Sequence, residues 1–380
     1  MDWTLACSEC RTTADPSGLP TVCPGCGAPW LVRLAERPDP GAKQELARRP
    51  WTMWRYREWL PLLPGEEPVS LGEGVTPLLR APHLEQRLGM REIWIKDEGK
   101  NPTGSFKARG LAAAVTRARA GGATRFTIPT AGNAGVALSA YGTRAGASVR
   151  VYAPRTTPST MLQQIRAFGA ELVLLDGHIG DCGKASRAYA EASGAFDVST
   201  LREPYRIEGK KTLGLELAEQ LDWHLPDTIV YPAGGGTGVI GMWKVFGELR
   251  WAHWLDSPPP RLYCVQSSGC APVVKAFESG ADRTEPWPEP TTVAAGLRVP
   301  APLGGRLMLR AMRETKGGAV AVSDDQLCAA QSELAAREAI DAAPEGGATL
   351  AALEHLIERG EIRRDESVVL FNTGAGWLYR

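Results

Sequence analysis

The sequence has 380 residues, and its 43 Lys and Arg residues balance its 43 Asp and Glu residues. This length suits two or three domains, and a formal charge of zero gives no reason to expect nucleic acid or a membrane as a partner. No run of about 18 apolar residues predicts a membrane span, and the first ten residues lack the basic and apolar regions of a signal peptide. We therefore expect a cytoplasmic protein with reduced cysteines.

Four of the eight cysteines form two C-x-x-C pairs near the start of the chain, and twelve residues separate the pairs. The four residues are Cys7, Cys10, Cys23 and Cys26. Two such pairs can close a tetrahedral thiolate site, which predicts a structural Zn²⁺ in a zinc-ribbon-like module. Iron in a rubredoxin-like site is the chemical alternative, and a closed site of four cysteines predicts no catalysis. The scattered Cys182, Cys264, Cys270 and Cys328 are predicted to be core residues.

Residues 36–70 are rich in Pro, Trp and Arg and predict an arm packed on the body, in which residues 51–59 form either an interface or a strap. Beyond the arm, short apolar strands alternate with helical patterns, which is typical of parallel sheets covered by helices on both faces. The predicted strands are Ile93–Lys96, Arg125–Pro129, Val149–Ala153, Glu171–Leu175, Thr228–Pro232, Arg261–Gln266 and Ser367–Asn372. The predicted helices are Ala134–Arg144, Ser159–Phe168, Asp181–Ala192, Glu208–Leu221 and Val239–Trp254. Such sheets bind ligands at the carboxyl ends of their strands.

The first loop of interest reads KNPTGSFKARG, at residues 100–110. Residues 101–104 predict a turn. Ser105 is predicted to be a helix N-cap, and Lys107 is predicted to lie in the first turn of that helix. A cation is disfavoured at that end of a helix, so the amine of Lys107 should lose its proton easily and attack aldehydes. A surface lysine is the plain alternative.

Two further loops follow strands and open helices. PTAGNAG, at residues 129–135, predicts a carboxylate or phosphate cradle made of Thr130, Ala131, Gly132 and Asn133. PAGGGTGVIG, at residues 232–241, predicts an anion cradle made of Gly234, Gly235, Gly236, Thr237 and Gly238. The second loop also matches the dinucleotide pattern G-x-G-x-x-G, but the next strand ends in Gln266 instead of an acid.

Together these loops meet the needs of pyridoxal 5′-phosphate, which are an aldehyde-binding lysine, a phosphate loop and a place for an amino-acid carboxylate. The loop FNTGAG, at residues 371–376, adds the hydroxyl of Thr373 as a partner for the ring nitrogen. A hydroxyl does not hold that nitrogen protonated, which favours elimination and replacement over transamination. None of the five histidines lies in a comparable loop, so a Ser/His/Asp hydrolase finds no support.

From about Leu71 onward the chain resembles the threonine synthase family of fold type II pyridoxal-phosphate enzymes. The motifs that carry the resemblance are LGEGVTPL, NPTGSFKARG, TAGNAG, EPYRIEGKKTLGLEL, GGGTG and Thr373. The resemblance implies that Lys107 forms the Schiff base, that Asn133 contacts the 3′-oxygen of the cofactor, and that Thr373 faces its ring nitrogen. It also implies that residues 130–132 hold the substrate carboxylate, that residues 234–238 hold the cofactor phosphate, and that Arg206 binds a substrate phosphate.

The implied fold is α/β, with two three-layer domains built on parallel sheets and a zinc-ribbon-like module. The implied ranges are 1–35 for the module, 36–108 with 206–380 for a large cofactor domain, and 109–205 for a small mobile domain. The implied enzyme is a lyase that converts O-phospho-L-homoserine and water into L-threonine and phosphate, and a homodimer is left open.

The sequence departs from the family pattern at three places. Ala108 stands where the family has Asp, the phosphate loop is Gly-rich as in threonine dehydratase, and the ending NTGAGWLYR differs from T-G-x-G-L-K. The alternative is therefore a β-replacement or β-elimination enzyme on phosphoserine, serine or threonine, cysteate-synthase-like or dehydratase-like. A cofactor-free binding protein on the same scaffold is a further alternative, against which the retained Lys107 and Asn133 speak.

Overall fold

The computed structural model describes residues 2–380, which form three sheets with helices around them. The strands are β1 (Trp3–Cys7), β2 (Thr13–Ala14), β3 (Trp30–Leu34), β4 (Leu78–Arg80), β5 (Glu92–Asp97), β6 (Arg125–Pro129), β7 (Ser148–Pro154), β8 (Glu171–Leu175), β9 (Phe196–Asp197), β10 (Thr228–Pro232), β11 (Arg261–Ser267), β12 (Gly318–Val322) and β13 (Ser367–Asn372). The α-helices are α1 (Pro82–Leu88), α2 (Lys107–Ala120), α3 (Asn133–Arg144), α4 (Ser159–Ala167), α5 (Ile179–Ser193), α6 (Tyr205–Gln220), α7 (Thr237–Trp251), α8 (Pro272–Glu278), α9 (Gly305–Glu314), α10 (Asp324–Glu338) and α11 (Pro344–Glu358). The 3₁₀ helices are Pro40–Arg48, Met53–Trp59, Glu98–Lys100 and Gly376–Tyr379.

The largest sheet has six strands in the order β12-β11-β10-β13-β5-β4. Its strands run parallel except for β4, which pairs with β5 in the antiparallel sense at one edge. The central strands β10 and β13 are buried along their whole length, as continuous apolar runs require when helices cover both faces of a sheet. Separate apolar clusters lie on the two faces, one containing Phe246 of α7 and the other Leu353 of α11.

The second parallel sheet has four strands in the order β8-β7-β6-β9. Its apolar cluster combines strands β6 and β7 with helices α2 and α3, and it also takes in Ala375 and Leu378. The segment that follows β13 of the six-stranded sheet therefore packs on the core of the four-stranded sheet. A cavity lies between the two parallel sheets.

The cysteine module is a small antiparallel sheet in the order β2-β1-β3. Its apolar cluster includes Trp3, Leu5 and Val32, and Tyr205 of α6 belongs to the same cluster. The Tyr205 hydroxyl donates a 3.2 Å hydrogen bond to the carbonyl oxygen of Pro16. The module thus shares its core with the first residue of helix α6.

The Trp-rich arm packs against the body through its second half. Tyr56 and Trp59 are buried, and the ring of Trp59 meets that of Trp254 edge-on at 5.1 Å. Trp51, in contrast, is 68% exposed. Residues 53–59 are packed against the body, as expected for a strap, whereas the exposed Trp51 is available to an interface.

The predicted α/β class with parallel sheets is confirmed, and each predicted strand and helix is present with its ends shifted by at most three residues. Two expectations were wrong. Helix α2 begins at Lys107 with Phe106 as its N-cap, because Ser105 is held in an antiparallel bridge with Gly374. Cys328 is exposed on α10 instead of buried in the core. None of the helices within residues 2–380 is both long and apolar enough to cross a membrane.

Candidate active site

A cavity of about 460 Å³ opens at the carboxyl ends of strands from both parallel sheets. Every residue that the sequence predicted for cofactor or substrate binding lines it: Lys107, Thr130, Ala131, Gly132, Asn133, Arg206, Gly234, Gly235, Gly236, Thr237, Gly238 and Thr373. The fold therefore brings together loops that lie up to 266 residues apart in sequence, from Lys107 to Thr373. The individual roles of these residues remain predictions.

Lys107 is the first residue of helix α2, and its loop is joined to the loop that follows β13. The N–H of Phe106 donates to the carbonyl oxygen of Thr373 at 3.0 Å, and the N–H of Ala375 donates to that of Gly104 at 2.8 Å. Burial, followed by the charge of Arg206, lowers the pKa of Lys107 to about 7, against the opposing influence of Glu345. An amine of this kind is substantially neutral at physiological pH and is a competent nucleophile.

A network of buried charges lies directly behind this lysine. The guanidinium group of Arg109 bonds to Glu98, with Nε–Oε2 at 2.7 Å, and to Glu216, with Nη1–Oε2 at 2.8 Å. Lys96 also pairs with Glu216, and the carboxylate of Glu216 accepts the N–H of Thr76 at 2.6 Å. These groups are almost completely inaccessible to solvent. The network ties helix α2 to helix α6 and to the segment at residue 76.

The loop between β10 and α7 is an anion cradle. Among the described residues, no group accepts a hydrogen bond from the backbone N–H groups of residues 234–239. Gly236 has φ = +83°, and an added Cβ would collide with the sulfur of Met308, so the turn requires glycine. Gln266 holds the loop, because its Nε2 donates to the carbonyl oxygen of Ala233 at 2.9 Å and its Oε1 accepts the N–H of Val273 at 2.8 Å. Gln266 stands where the dinucleotide-binding pattern has an acidic residue. It thus supports the loop and has no carboxylate that could bind a ribose.

The loop between β6 and α3 forms a second cradle. The hydroxyl oxygen of Thr130 accepts the N–H groups of Gly132 and Gly135, each at 3.0 Å. The N–H groups of Ala131, Asn133 and Ala134 have no acceptor within residues 2–380. Three such donors at the start of a helix suit a carboxylate.

Arg206 lies in the cavity wall near the start of helix α6. Its Nη1 donates to the carbonyl oxygen of Val198 at 2.9 Å and to Thr200 Oγ1 at 3.3 Å, whereas its Nε is buried without a partner. Burial lowers the pKa of Arg206, although Glu203 and Asp197 oppose the shift.

Sequence reasoning also missed polar residues that line the cavity, among them Arg187, Arg202, Arg298, Glu345 and Tyr379. The three arginines come from α5, from the loop after β9 and from the loop before α9. Single arginines in such places look like surface residues, and no local pattern marks them. One weak signal was present, since Tyr379 stands in the ending that departs from the family pattern.

These groups fit pyridoxal 5′-phosphate. The cavity offers an amine of low pKa, a cradle of unbonded N–H groups for a phosphate, and the hydroxyl of Thr373, which makes no hydrogen bond within the described chain. Asn133 adds a side-chain amide whose Oδ1 is buried without a partner. A buried polar atom of this kind is normally satisfied by a ligand or water.

The four predicted metal ligands form a separate cluster in the cysteine module. The sulfur of Cys10 lies 3.7 Å from those of Cys23 and Cys26, and all four sulfurs lie within 4.8 Å of one another. A tetrahedron with Zn–S bonds of about 2.3 Å has edges of about 3.8 Å. The cysteines therefore fit a zinc ion without rearrangement of the backbone.

Residues 69–374 match the family described as pyridoxal-phosphate dependent enzyme. The chain therefore belongs to the pyridoxal-phosphate-dependent enzymes. Within that family it is threonine synthase-like, as two curated relatives indicate. The threonine synthase of Methanocaldococcus jannaschii is 33% identical over 97% of this chain and 91% of its own length. The threonine synthase of Methanosarcina acetivorans is 36% identical over 85% of this chain and 79% of its own length.

Solved structures agree on the fold. Maize serine racemase is similar with a TM-score of 0.69 at 20% identity, over 90% of this chain and 94% of that one. A fungal L-serine ammonia-lyase from Rhizomucor miehei is similar with a TM-score of 0.66 at 25% identity, over 80% of this chain and 94% of that one. The resemblance to fold type II enzymes that the motifs implied is thus confirmed.

Proposed function

We propose that this enzyme is a lyase that converts O-phospho-L-homoserine and water into L-threonine and phosphate. The observation that carries the proposal is a surplus of unpaired guanidinium groups in the cavity. Arg187, Arg202, Arg206 and Arg298 line it, and none of them forms an ion pair with a carboxylate of the described chain. Glu345 is the one acid among the lining residues.

The two backbone cradles would account for two anionic groups, the cofactor phosphate at residues 234–238 and the substrate carboxylate at residues 130–132. The guanidinium group of Arg206 is buried without an ion pair, which is costly without a ligand, and the half-buried Arg187, Arg202 and Arg298 add positive charge to the same cavity. The four groups together therefore favour a further anion. Arginine is well suited to phosphate because its planar fork donates two parallel hydrogen bonds. A substrate with its own phosphate meets this requirement, and serine or threonine does not.

The residues that line the cavity have separate roles in the proposed reaction. Pyridoxal 5′-phosphate, when bound, supplies the electron sink that makes loss of protons at Cα and Cβ feasible. The amine of Lys107, with a pKa of about 7, can take up and return protons near neutral pH. When the cofactor is bound, the hydroxyl of Thr373 would partner its ring nitrogen and Asn133 its 3′-oxygen, and Arg206 with its neighbouring arginines would hold the substrate phosphate until it leaves from Cγ.

The proposal extends to the rest of the molecule. Cys7, Cys10, Cys23 and Cys26 would hold a structural Zn²⁺, and residues 1–35 would form the module around it. Residues 109–205 would form the small domain, which closes on the substrate and keeps water out until it is needed. The remaining residues, 36–108 and 206–380, would form the large cofactor domain of a cytoplasmic enzyme, with a homodimer as the proposed assembly.

The direct test is turnover of O-phospho-L-homoserine by the purified holoenzyme, with phosphate and threonine measured in the same reaction. We expect equal release of the two products, and little turnover of L-serine or L-threonine. Release of phosphate without threonine, or faster turnover of O-phospho-L-serine, would contradict the proposed reaction.

A second test addresses the arginines themselves. Arg298→Gln removes one cationic fork but keeps a polar side chain, and the Michaelis constant for O-phospho-L-homoserine should rise roughly 10- to 100-fold, as loss of a charge-assisted hydrogen bond predicts. Arg187→Gln should act in the same direction. Arg166→Gln is the matched control, since Arg166 is exposed on α4 outside the cavity. Unchanged Michaelis constants for both cavity variants would leave the surplus of guanidinium groups without a role in substrate binding.

A further inference from the structure

Tyr379 joins the two sides of the cavity. Its hydroxyl accepts a 3.2 Å hydrogen bond from Asn133 Nδ2 and donates one of 2.9 Å to Glu345 Oε1. The same oxygen of Glu345 accepts the N–H of Gly296 at 2.6 Å. Asn133 opens α3 beside the four-stranded sheet, and Glu345 stands at the start of α11 beside the six-stranded sheet. One phenol therefore connects residues from opposite walls.

The neighbouring residue holds this phenol in place. The backbone oxygen of Arg380 accepts a 2.6 Å hydrogen bond from the hydroxyl of Thr160, and its guanidinium group pairs with Asp341. Thr160 lies on α4 and Asp341 lies just before α11, so the segment is attached on both sides. Burial, together with the nearby carboxylate of Glu345, raises the pKa of Tyr379 well above its usual value. The hydroxyl accordingly keeps its proton, and in this geometry it donates to Glu345 while it accepts from the amide of Asn133.

Some polar atoms of Asn133 and Glu345 take no part in the hydrogen bonds through Tyr379. Glu345 Oε2 and Asn133 Oδ1 are buried without a partner in the described chain. The amide nitrogen of Asn133 carries two protons, and Tyr379 accepts one of them. Unsatisfied polar atoms inside a protein are unfavourable, so their presence in a cavity wall indicates that a ligand or water satisfies them.

We propose that Tyr379 is a positioning residue of the active site, which orients the amide of Asn133 and the carboxyl group of Glu345 toward the ligands in the cavity. The inference rests on the proposed function in one respect, namely that the cavity holds pyridoxal 5′-phosphate. The second amide proton of Asn133 is then free to reach an oxygen of the cofactor. Glu345 Oε2 is free to accept a proton from an amine, and Lys107 is the nearby amine whose pKa it influences.

The test is a double-mutant cycle read out by cofactor binding in the absence of substrate. Tyr379→Phe removes only the hydroxyl, and the dissociation constant of pyridoxal 5′-phosphate, measured by the rise of its bound visible absorption, should increase roughly three- to tenfold. In the Asn133→Ala background the same substitution should change that constant by a smaller factor, because only Glu345 then remains as a group through which the phenol acts. Tyr189→Phe, on α5 and outside the cavity lining, should have no effect.

Thermal unfolding of the apoenzymes separates positioning from a merely structural role. A lower unfolding temperature for Tyr379→Phe with an unchanged dissociation constant would overturn the inference. An equal change of the constant in both backgrounds would also overturn it. The double-mutant cycle could give the expected result while the enzyme releases no threonine from O-phospho-L-homoserine. That outcome would contradict the proposed reaction and leave the role of Tyr379 intact.

Discussion

The backbone N–H of Phe106 donates a 3.0 Å hydrogen bond to the carbonyl oxygen of Thr373. Strands β5 and β13, which precede these two residues, are hydrogen-bonded neighbours, with Asp97 opposite Asn372. The backbones at Lys107 and Thr373 are therefore fixed relative to each other. A site whose backbone is already in place loses little freedom when a ligand binds, which is the basis of preorganisation.

The protonation of Lys107 should control how fast the apoenzyme binds its cofactor. Because the neutral amine is the nucleophile and its pKa is about 7, the rate should rise with pH and reach half its maximum near pH 7. Stopped-flow absorbance of apoenzyme mixed with pyridoxal 5′-phosphate measures this profile. Lys107→Ala should show no lysine-bound visible band, and Lys275→Ala, which alters an exposed lysine, should leave the profile unchanged.

The charge of Arg206 contributes to the low pKa of Lys107, so Arg206→Gln should move the midpoint of this profile to higher pH. A profile that rises only above pH 9 in the unaltered enzyme would show that the amine is not perturbed.

Gly236→Ala should damage the phosphate cradle. An alanine at φ = +83° is strained by about 1–2 kcal/mol, and its Cβ would also collide with Met308. We expect both a lower free energy of unfolding and weaker binding of pyridoxal 5′-phosphate, measured by urea denaturation and by absorbance titration. Gly247→Ala is the matched control in helix α7, which Gly236 precedes, and there a Cβ meets no atom within 4 Å. That change should stabilise the protein by about 0.5–1 kcal/mol and leave cofactor affinity unchanged.

Loss of Arg109 should destabilise the protein strongly. Arg109→Met leaves Glu98 and Glu216 buried with too little positive charge, and breaking such a pair costs about 3–5 kcal/mol. Urea denaturation measures the effect. Arg155→Met removes an exposed pair with Asp176 and should cost no more than about 1 kcal/mol. Equal effects of the two substitutions would show that the buried network is energetically no different from a surface pair.

The same network should make stability depend on acid pH. Burial alone would raise the pKa of Glu216, but Arg109 and Lys96 lower it to about 2 from an ordinary value of 4.5. The folded chain binds this proton less tightly than the unfolded chain does, so the contribution of Glu216 is fully present above about pH 4.5 and is lost as the pH falls toward 2. The variant Glu216→Gln should show a flatter dependence of unfolding free energy on pH in that window.

Metal analysis should find about one zinc ion per chain, because four cysteine sulfurs already lie at the spacing of a tetrahedral site. Cys23→Ser should lose the metal and lower the unfolding temperature, whereas Cys328→Ser, at an exposed cysteine outside the cluster, should do neither. Iron in place of zinc would be visible as a coloured apoenzyme. An unaltered protein that carries no metal after expression with zinc would contradict the assignment.

The parts of the site that could be predicted are those with a local signal. Lys107, the glycines of residues 234–238 and Asn133 each follow a strand and open a helix, so their chemistry can be inferred from the loop alone. Arg187, Arg202 and Arg298 come from separate segments, and only the tertiary fold makes them converge. The error at Ser105 has a similar origin, since its pairing with Gly374 outweighs the local preference of serine for an N-cap position.

The fold was predictable where apolar strands are long and bounded by turns. Strand β12, GAVAV, consists of small residues whose short run does not distinguish a strand from a buried turn of helix. Helices α9, α10 and α11 around it were not predicted either. Their placement depends on packing against the six-stranded sheet, which a reading of residues 303–366 alone does not reveal.

Tyr205 links the cysteine module to the wall of the cavity. Its ring completes the apolar cluster of residues 3–32, and the next residue along the helix is Arg206 of the cavity wall. The module therefore supports the start of helix α6, and removing it would uncover residues that it now buries. A chain trimmed to begin at residue 36 would expose an aromatic surface one residue from the active site. Exchange of this module between related enzymes would accordingly require a matching partner for the first turn of α6.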